Sequence, residues 1–240
     1  MKKLLYLICI ISYSMVAQMS ESQILTMSEF TIKQGHNEQF RAGVKMWKEC
    51  YEKNNGTDSW NLWSRMQGEG TVYVLTGLVK NWAELDKEDA ASEPCNTIAR
   101  DMIMPHIEKS VYHLASTLPE LSNTTPKPDR TVVWVTYFRV KNSTVFNATI
   151  KEIGTAVKAV EGDVRGTWYS FIGGGENDPD YFVSNSYKDF AEMDIKRDGV
   201  WKIMENKHGV KKTEQMRNDF RNSMDASWSY VYVLNKDLSK

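Results

Sequence analysis

Four histidines, three cysteines and a surplus of aromatic rings are the residues of this 240-residue chain with the most chemistry to offer. The histidines are His36, His106, His113 and His208. An imidazole is a general acid/base near neutral pH and a common metal or haem ligand. No H-x-H, H-E-x-x-H or C-x-x-C spacing occurs, so no metal site is expected. His113 sits in a stretch that reads as a strand, and His106 follows Pro105 at a helix end. Both are candidate catalytic or haem-binding residues, weighed against the commoner role of a lone histidine as a hydrogen-bonded structural residue. His36 and His208 read as loop residues. There is no G-x-S-x-G elbow and no P-loop. Gly173-Gly174-Gly175 is followed by Glu176, Asn177, Asp178 and Asp180, the wrong charge for phosphate, and reads as a hairpin turn. Lys207, Lys211 and Lys212 read as a solvated basic face.

The rings number 8 Trp, 11 Tyr and 8 Phe, and Trp60, Trp63, Tyr73, Trp168, Phe171, Tyr181, Trp228, Tyr230 and Tyr232 fall on expected strands. Aromatics suit strands and sheet interfaces, so core packing is the first reading of any one of them. Several facing one lumen would instead make a pocket for a planar or apolar ligand. Trp228, Tyr230 and Tyr232 share one strand face. With Tyr137 and Trp168 they are the candidate ligand-binding residues.

Composition bounds the setting. Lys+Arg 30 against Asp+Glu 31 offers no bulk positive charge for nucleic acid, so no nucleic-acid partner is expected. Met1-Lys2-Lys3, the apolar run Leu4 to Val16 and Ala17 have the layout of a secretory signal peptide, cut after Ala17. The run of about thirteen residues is short of a membrane span. The expected mature chain is secreted or periplasmic, with no membrane span. It keeps Cys50 and Cys95, a pair able to form one disulfide in an oxidising compartment. Sequons at Asn55, Asn123, Asn142 and Asn147 matter only in a eukaryotic source. The Ala17-Gln18 exit resembles one common in Bacteroidetes signal peptides.

The elements that must position these residues come in two similar sets. At a shift of 108, Phe30-Thr31-Ile32-Lys33 meets Phe138-Arg139-Val140-Lys141, Trp60 meets Trp168, and Tyr73 meets Tyr181. Lys80 to Asp86 likewise meets Lys188 to Asp194. Asn81 and Asp189 are N-cap residues with Glu84 and Glu192 three positions on, as in a capping box. Alternation and helical spacing then give βαββαβ twice. In the first half, a helix starting at Glu93-Pro94 and running to Met104 carries Ile98 and Met102 inward. The segments are 1–17 signal peptide, 18–118 first unit, 119–130 a Pro- and Thr-containing linker, and 131–240 second unit. The second unit carries about nine extra residues before its last strand.

The βαββαβ order is the split βαβ motif of ferredoxin-like domains, whose helices cover one sheet face only. On that order and the 108 shift, the chain resembles the dimeric α+β barrel superfamily in a tandem, single-chain form. The resemblance implies an α+β fold: two tandem ferredoxin-like units whose antiparallel sheets pack into one intramolecular barrel. Strand parity assigns Val132, Trp134, Phe138 and Val140 to the helix side. It turns Val133, Val135, Tyr137 and Arg139 inward, and the shift places Leu25, Met27, Glu29 and Thr31 with them. Glu29 and Arg139 thus become candidate charged residues of the site, set against the plainer reading of solvated strand ends.

The first expectation of function is binding of a small apolar or aromatic ligand in the barrel by a monomer or homodimer, with no cofactor. Two alternatives stand beside it: a cofactor-independent monooxygenase or isomerase, as the resemblance implies, and a haem-binding protein.

Overall fold

A computed structural model describes residues 21–125 and 129–240. The expected signal peptide with its Ala17 cut, and Pro126 and Pro128 of the expected linker, lie outside the described residues. The strands are β1 Ile24–Ile32, β2 Asn61–Arg65, β3 Thr71–Val79, β4 Ile107–Thr117, β5 Val132–Val140, β6 Thr167–Phe171, β7 Tyr181–Tyr187 and β8 Met224–Leu234. They close into one barrel in the order β1-β3-β2-β8-β5-β7-β6-β4, and every neighbouring pair is antiparallel. Each half alone is a four-strand sheet with β2 and β4, or β6 and β8, at its edges. The halves join through β2 with β8 and β4 with β6, so closure leaves no edge strand unpaired. The register slips between Thr31 and Ile32 where β1 meets β4, and between Arg139 and Val140 where β5 meets β8, positions again 108 apart.

The longer helices cover the outside. Helix α1 (Asn37–Lys53) lays Phe40 and Gly43 on the first half, and α3 (Ser143–Glu161) lays Phe146 and Ile150 on the second. Between them in sequence lies the one-turn α2 (Asn96–Ile98). The short α4 (Phe190–Met193) follows β7, and α5 (Val200–His208) and α6 (Val210–Asn222) pack beside α3 through Ile203, Met204 and Phe220. The capping residues act as their types dictate. Asn81 accepts from the Glu84 N–H and Asp189 from the Glu192 N–H.

Two sequence expectations change here. The segment after Asn81 is a 3-10 turn, Trp82–Asp86, and the stretch from Glu93 is broken into 3-10, α and π turns rather than one helix. The π turn, Ala99–Ile103, shifts the register, so Ile103 packs inward while Met102 is 41% exposed. Gly43 is what lets α1 approach this turn, since a Cβ there would lie 2.1 Å from the Met102 carbonyl oxygen. Cys50 of α1 and Cys95, just before α2, are joined by a disulfide that ties the same two segments together.

The chain between the halves is fastened to the second half. The Asn123 N–H donates to the Gly166 carbonyl, and the Ser122 hydroxyl accepts from the Trp168 N–H. The C-terminal residues return across the first half. Leu238 is buried with Phe40 and Leu62, and Trp60 and Lys240 exchange backbone hydrogen bonds. Arg41 holds Asn235 and Asp237 from α1.

Candidate functional site

Strand parity divides the apolar residues into a core inside the barrel and cores beneath the helices. Met27, Val72, Val74, Ala115, Val133, Val135, Tyr137, Phe182 and Tyr232 form the inner core. Phe30, Ile32 and Tyr73 lie under α1, and Phe138, Val140 and Trp168 under α3. The inward face read from β1 and β5 is therefore the observed one.

The inner core is incompletely filled. A cavity of ≈ 400 Å³ opens at the barrel end formed by the starts of β1 and β5 and the ends of β3 and β7. Its walls include Trp60, Trp63, Tyr169 and Phe182, with Leu25 and Met27 between them. Leu78, 51% exposed, stands at the mouth beside Asn61 and Lys240. The ring positions are set by mutual packing: Tyr169 stacks on Phe182 with centroids 4.4 Å apart, and the Trp63 indole N–H donates to Thr76 Oγ1 at 3.0 Å.

Tyr137 and Tyr232 reach the cavity from adjacent strands, and their hydroxyls meet at 3.2 Å. Both residues are buried. Burial pushes the Tyr232 phenol up to about 12 and holds the Tyr137 phenol well above its ordinary value, so both are neutral at physiological pH. Burial does the same to Tyr169, again to about 12.

Trp228 and Tyr230 face inward as their spacing implies, yet they do not line the cavity. Trp228 stacks on Tyr137 at 5.7 Å and Tyr230 meets it edge-on at 6.5 Å, so the two fill the barrel behind it. Trp168 is outside the barrel, stacked on Phe138 under α3. Its strand parity is opposite to that of Tyr169, which occupies the inward place.

The candidate catalytic residues separate as well. His113 lies on β4 level with Met27, and its ring meets Phe171 edge-on at 5.4 Å without lining the cavity. His106 pairs instead with His36, Nδ1 to Nδ1 at 2.8 Å, at the far end of β4. Glu29 and Arg139 do not pair with each other; Arg139 donates to Asn177 Oδ1 at 3.1 Å. The charge that sequence reasoning missed is Arg65, whose guanidinium lies over the Tyr230 ring at 4.7 Å. Trp63 and Tyr169 were open to the parity rule that found Tyr137, but strands of five residues left their register undetermined until paired.

No protein-family model and no curated protein matches the chain. Solved structures do. A candidate monooxygenase from Fusobacterium nucleatum is similar over 91% of this chain and 94% of its own, at 14% identity and a TM-score of 0.52. Another, from Lactobacillus acidophilus, covers 89% and 94% at 12% identity and a TM-score of 0.53. A mutant chlorite dismutase from Candidatus Nitrospira defluvii, in complex with cyanide, covers 90% and 92% at 10% identity and a TM-score of 0.53. The fold is the dimeric α+β barrel, closed within one chain. At these identities the likeness carries the fold alone.

A haem held in the barrel would need an axial donor at the cavity. No imidazole or thiol lines the cavity of this α+β barrel. The cavity therefore offers a haem no axial histidine or cysteine. Among the described residues, no group of three or more His, Cys, Asp or Glu could hold a metal ion. Nor is any described helix long and apolar enough to cross a membrane.

Proposed function

We propose that the barrel cavity takes up a small planar aromatic molecule and that the chain acts on it as a cofactor-independent monooxygenase. The observation that carries this reading is the ring-walled cavity of ≈ 400 Å³ whose innermost polar groups are neutral hydroxyls. Flat rings stack on Trp, Tyr and Phe faces, and apolar walls exclude water from whatever is bound. The naming of similarly folded proteins as monooxygenases supports the enzymatic reading over simple binding. In such chemistry the substrate supplies the electrons: a ring-activated CH₂ and O₂ give a carbonyl and water. The chain's part is to orient the ring, keep water out and offer hydroxyl protons to an oxygen on the substrate.

The protein works in an oxidising compartment, as the Cys50–Cys95 disulfide and the signal-like leader together suggest. Mass spectrometry of the exported chain is expected to find it beginning at Gln18.

The test is a titration of tryptophan fluorescence with tricyclic aromatics, run beside an oxygen electrode. Quenching with oxygen uptake is the expected result. Quenching with no uptake would leave a binding protein, and no quenching by any member would overturn the reading. Ser184→Phe places a ring in the cavity and is expected to abolish quenching. A Soret band on haem addition that disappears in His113→Ala would instead favour haem.

A further inference from the structure

The two phenols at the cavity have more hydrogen-bonding capacity than they use. Tyr137 and Tyr232 carry one O–H proton each, and a single mutual contact at 3.2 Å consumes one of them. Whichever hydroxyl donates, the other keeps a proton with no acceptor among the described residues. Tyr137 and Tyr232 both line the cavity, so an atom inside it is the available acceptor. The other polar groups of the walls are differently placed. Thr76 Oγ1 already accepts from Trp63, and Asn61 and Ser59 lie at the mouth. Tyr169 and Ser184 each bring one hydroxyl, from β6 and β7, without a second hydroxyl hydrogen-bonded to it among the described residues to orient it.

Charge narrows the class of that acceptor. Lys240 is the one charged side chain among the lining residues, it stands at the mouth, and its Nζ donates to the Asp58 carbonyl at 2.9 Å. Deeper in, Glu29 and Arg65 act on the tyrosine pair with opposite signs. Arg65 is thus opposed by Glu29 at the pair, so an anionic head there would be desolvated with no net positive charge to compensate it, at a large cost. A neutral carbonyl oxygen needs only a donor.

We infer that the Tyr137–Tyr232 hydroxyl pair recognises a neutral carbonyl oxygen, so the cavity selects planar aryl ketones and related carbonyl compounds over bare hydrocarbons and over carboxylates. The ligand enters ring-walled space with its oxygen leading, one phenol donates to it, and the partner phenol orients that donor. The inference rests on the cavity being the binding site, as proposed above, and adds to it the chemistry of what is bound.

Three probes of one shape test it: fluorene, 9-fluorenone and fluorene-9-carboxylate, titrated into the full chain and into Tyr137→Phe/Tyr232→Phe. In the unaltered protein fluorenone is expected to bind about tenfold more tightly than fluorene, the worth of one neutral hydrogen bond. The carboxylate is expected to bind more weakly than the ketone. The infrared carbonyl stretch of bound fluorenone is expected at lower wavenumber than in hydrocarbon solvent. In the double variant the ketone's advantage and the shift both vanish, while fluorene binds as before. Equal binding of fluorene and fluorenone to the unaltered protein would overturn the inference and leave the cavity reading standing. So would an advantage or shift that survives in the double variant, or a preferred carboxylate. If no probe binds, both readings fall. Circular dichroism confirms that the double variant is folded, and Tyr232→Phe alone, which leaves Tyr137 free to donate, retains part of the advantage.

Discussion

Tyr169 and Tyr232 link the cavity to stability as well as to binding. Burial raises both phenols to about 12 from an ordinary value of 10. The folded chain therefore keeps protons that the unfolded chain releases above pH 10. Their contribution is fully present below pH 10 and is lost as pH rises through about 12. Each is worth at most roughly 2–3 kcal/mol over that window. Tyr169→Phe keeps the ring stacked on Phe182 and removes the ionisable oxygen. Its alkaline unfolding midpoint, followed by far-ultraviolet circular dichroism, is expected at higher pH than that of the unaltered chain, and an unmoved midpoint would contradict the assignment. At this scale the sequence was partly legible. Parity alone turned Tyr137 inward, yet it could not say that Trp228 and Tyr230 pack behind that ring rather than line a space.

Elements set how closely the chain's segments approach. Gly43→Ala is expected to destabilise the protein, since the added methyl meets the Met102 carbonyl and α1 must move away from the π turn. Overpacking of this kind costs about 1–3 kcal/mol, readable as a lowered urea midpoint with an unchanged slope. The disulfide joins the same segments across a sequence separation of 45 residues. Loop closure of that length is worth up to about 4 kcal/mol in the chain-entropy account. Cys50→Ala/Cys95→Ala is expected to lower Tm, and a reductant is expected to lower the unaltered chain's Tm but not the variant's. The caps at Asn81 and Asp189 were legible because they depend on residue type and local spacing. The π turn was not. Met102 and Ile103 are both apolar, and only the packed sheet decides which one faces inward.

The whole molecule is one barrel because neither half can finish its own sheet. Without the second half, β2 loses β8 and β4 loses β6, and Met27, Val72, Val74 and Ala115 lose the opposing face. A fragment of residues 18–121 is expected to dimerise or aggregate; sedimentation showing a soluble, cooperatively folding monomer would count against the shared barrel. The nine extra residues of the second half are legible in the frame. β4 begins at Ile107 and β8 at Met224, an offset of 117, whereas β1 and β5 differ by 108. The insertion is accommodated around α5 and α6, outside the barrel.

The sequence by itself determined the order of the strands and of the long helices α1 and α3, the 108-residue correspondence, the capping residues and the inward faces of β1 and β5. These follow from local spacing and from the period of two along a strand. Tertiary structure decided which inward residues meet a cavity and which meet each other. Trp168 and His106 left the site because a one-residue change of parity, or a position before the strand, puts a side chain outside the barrel. Tyr137 and Tyr232 came together because β5 and β8 are neighbours whose register sets the two rings close enough to share a hydrogen bond. That contact depends on strands about ninety residues apart in sequence, and no local pattern encodes it.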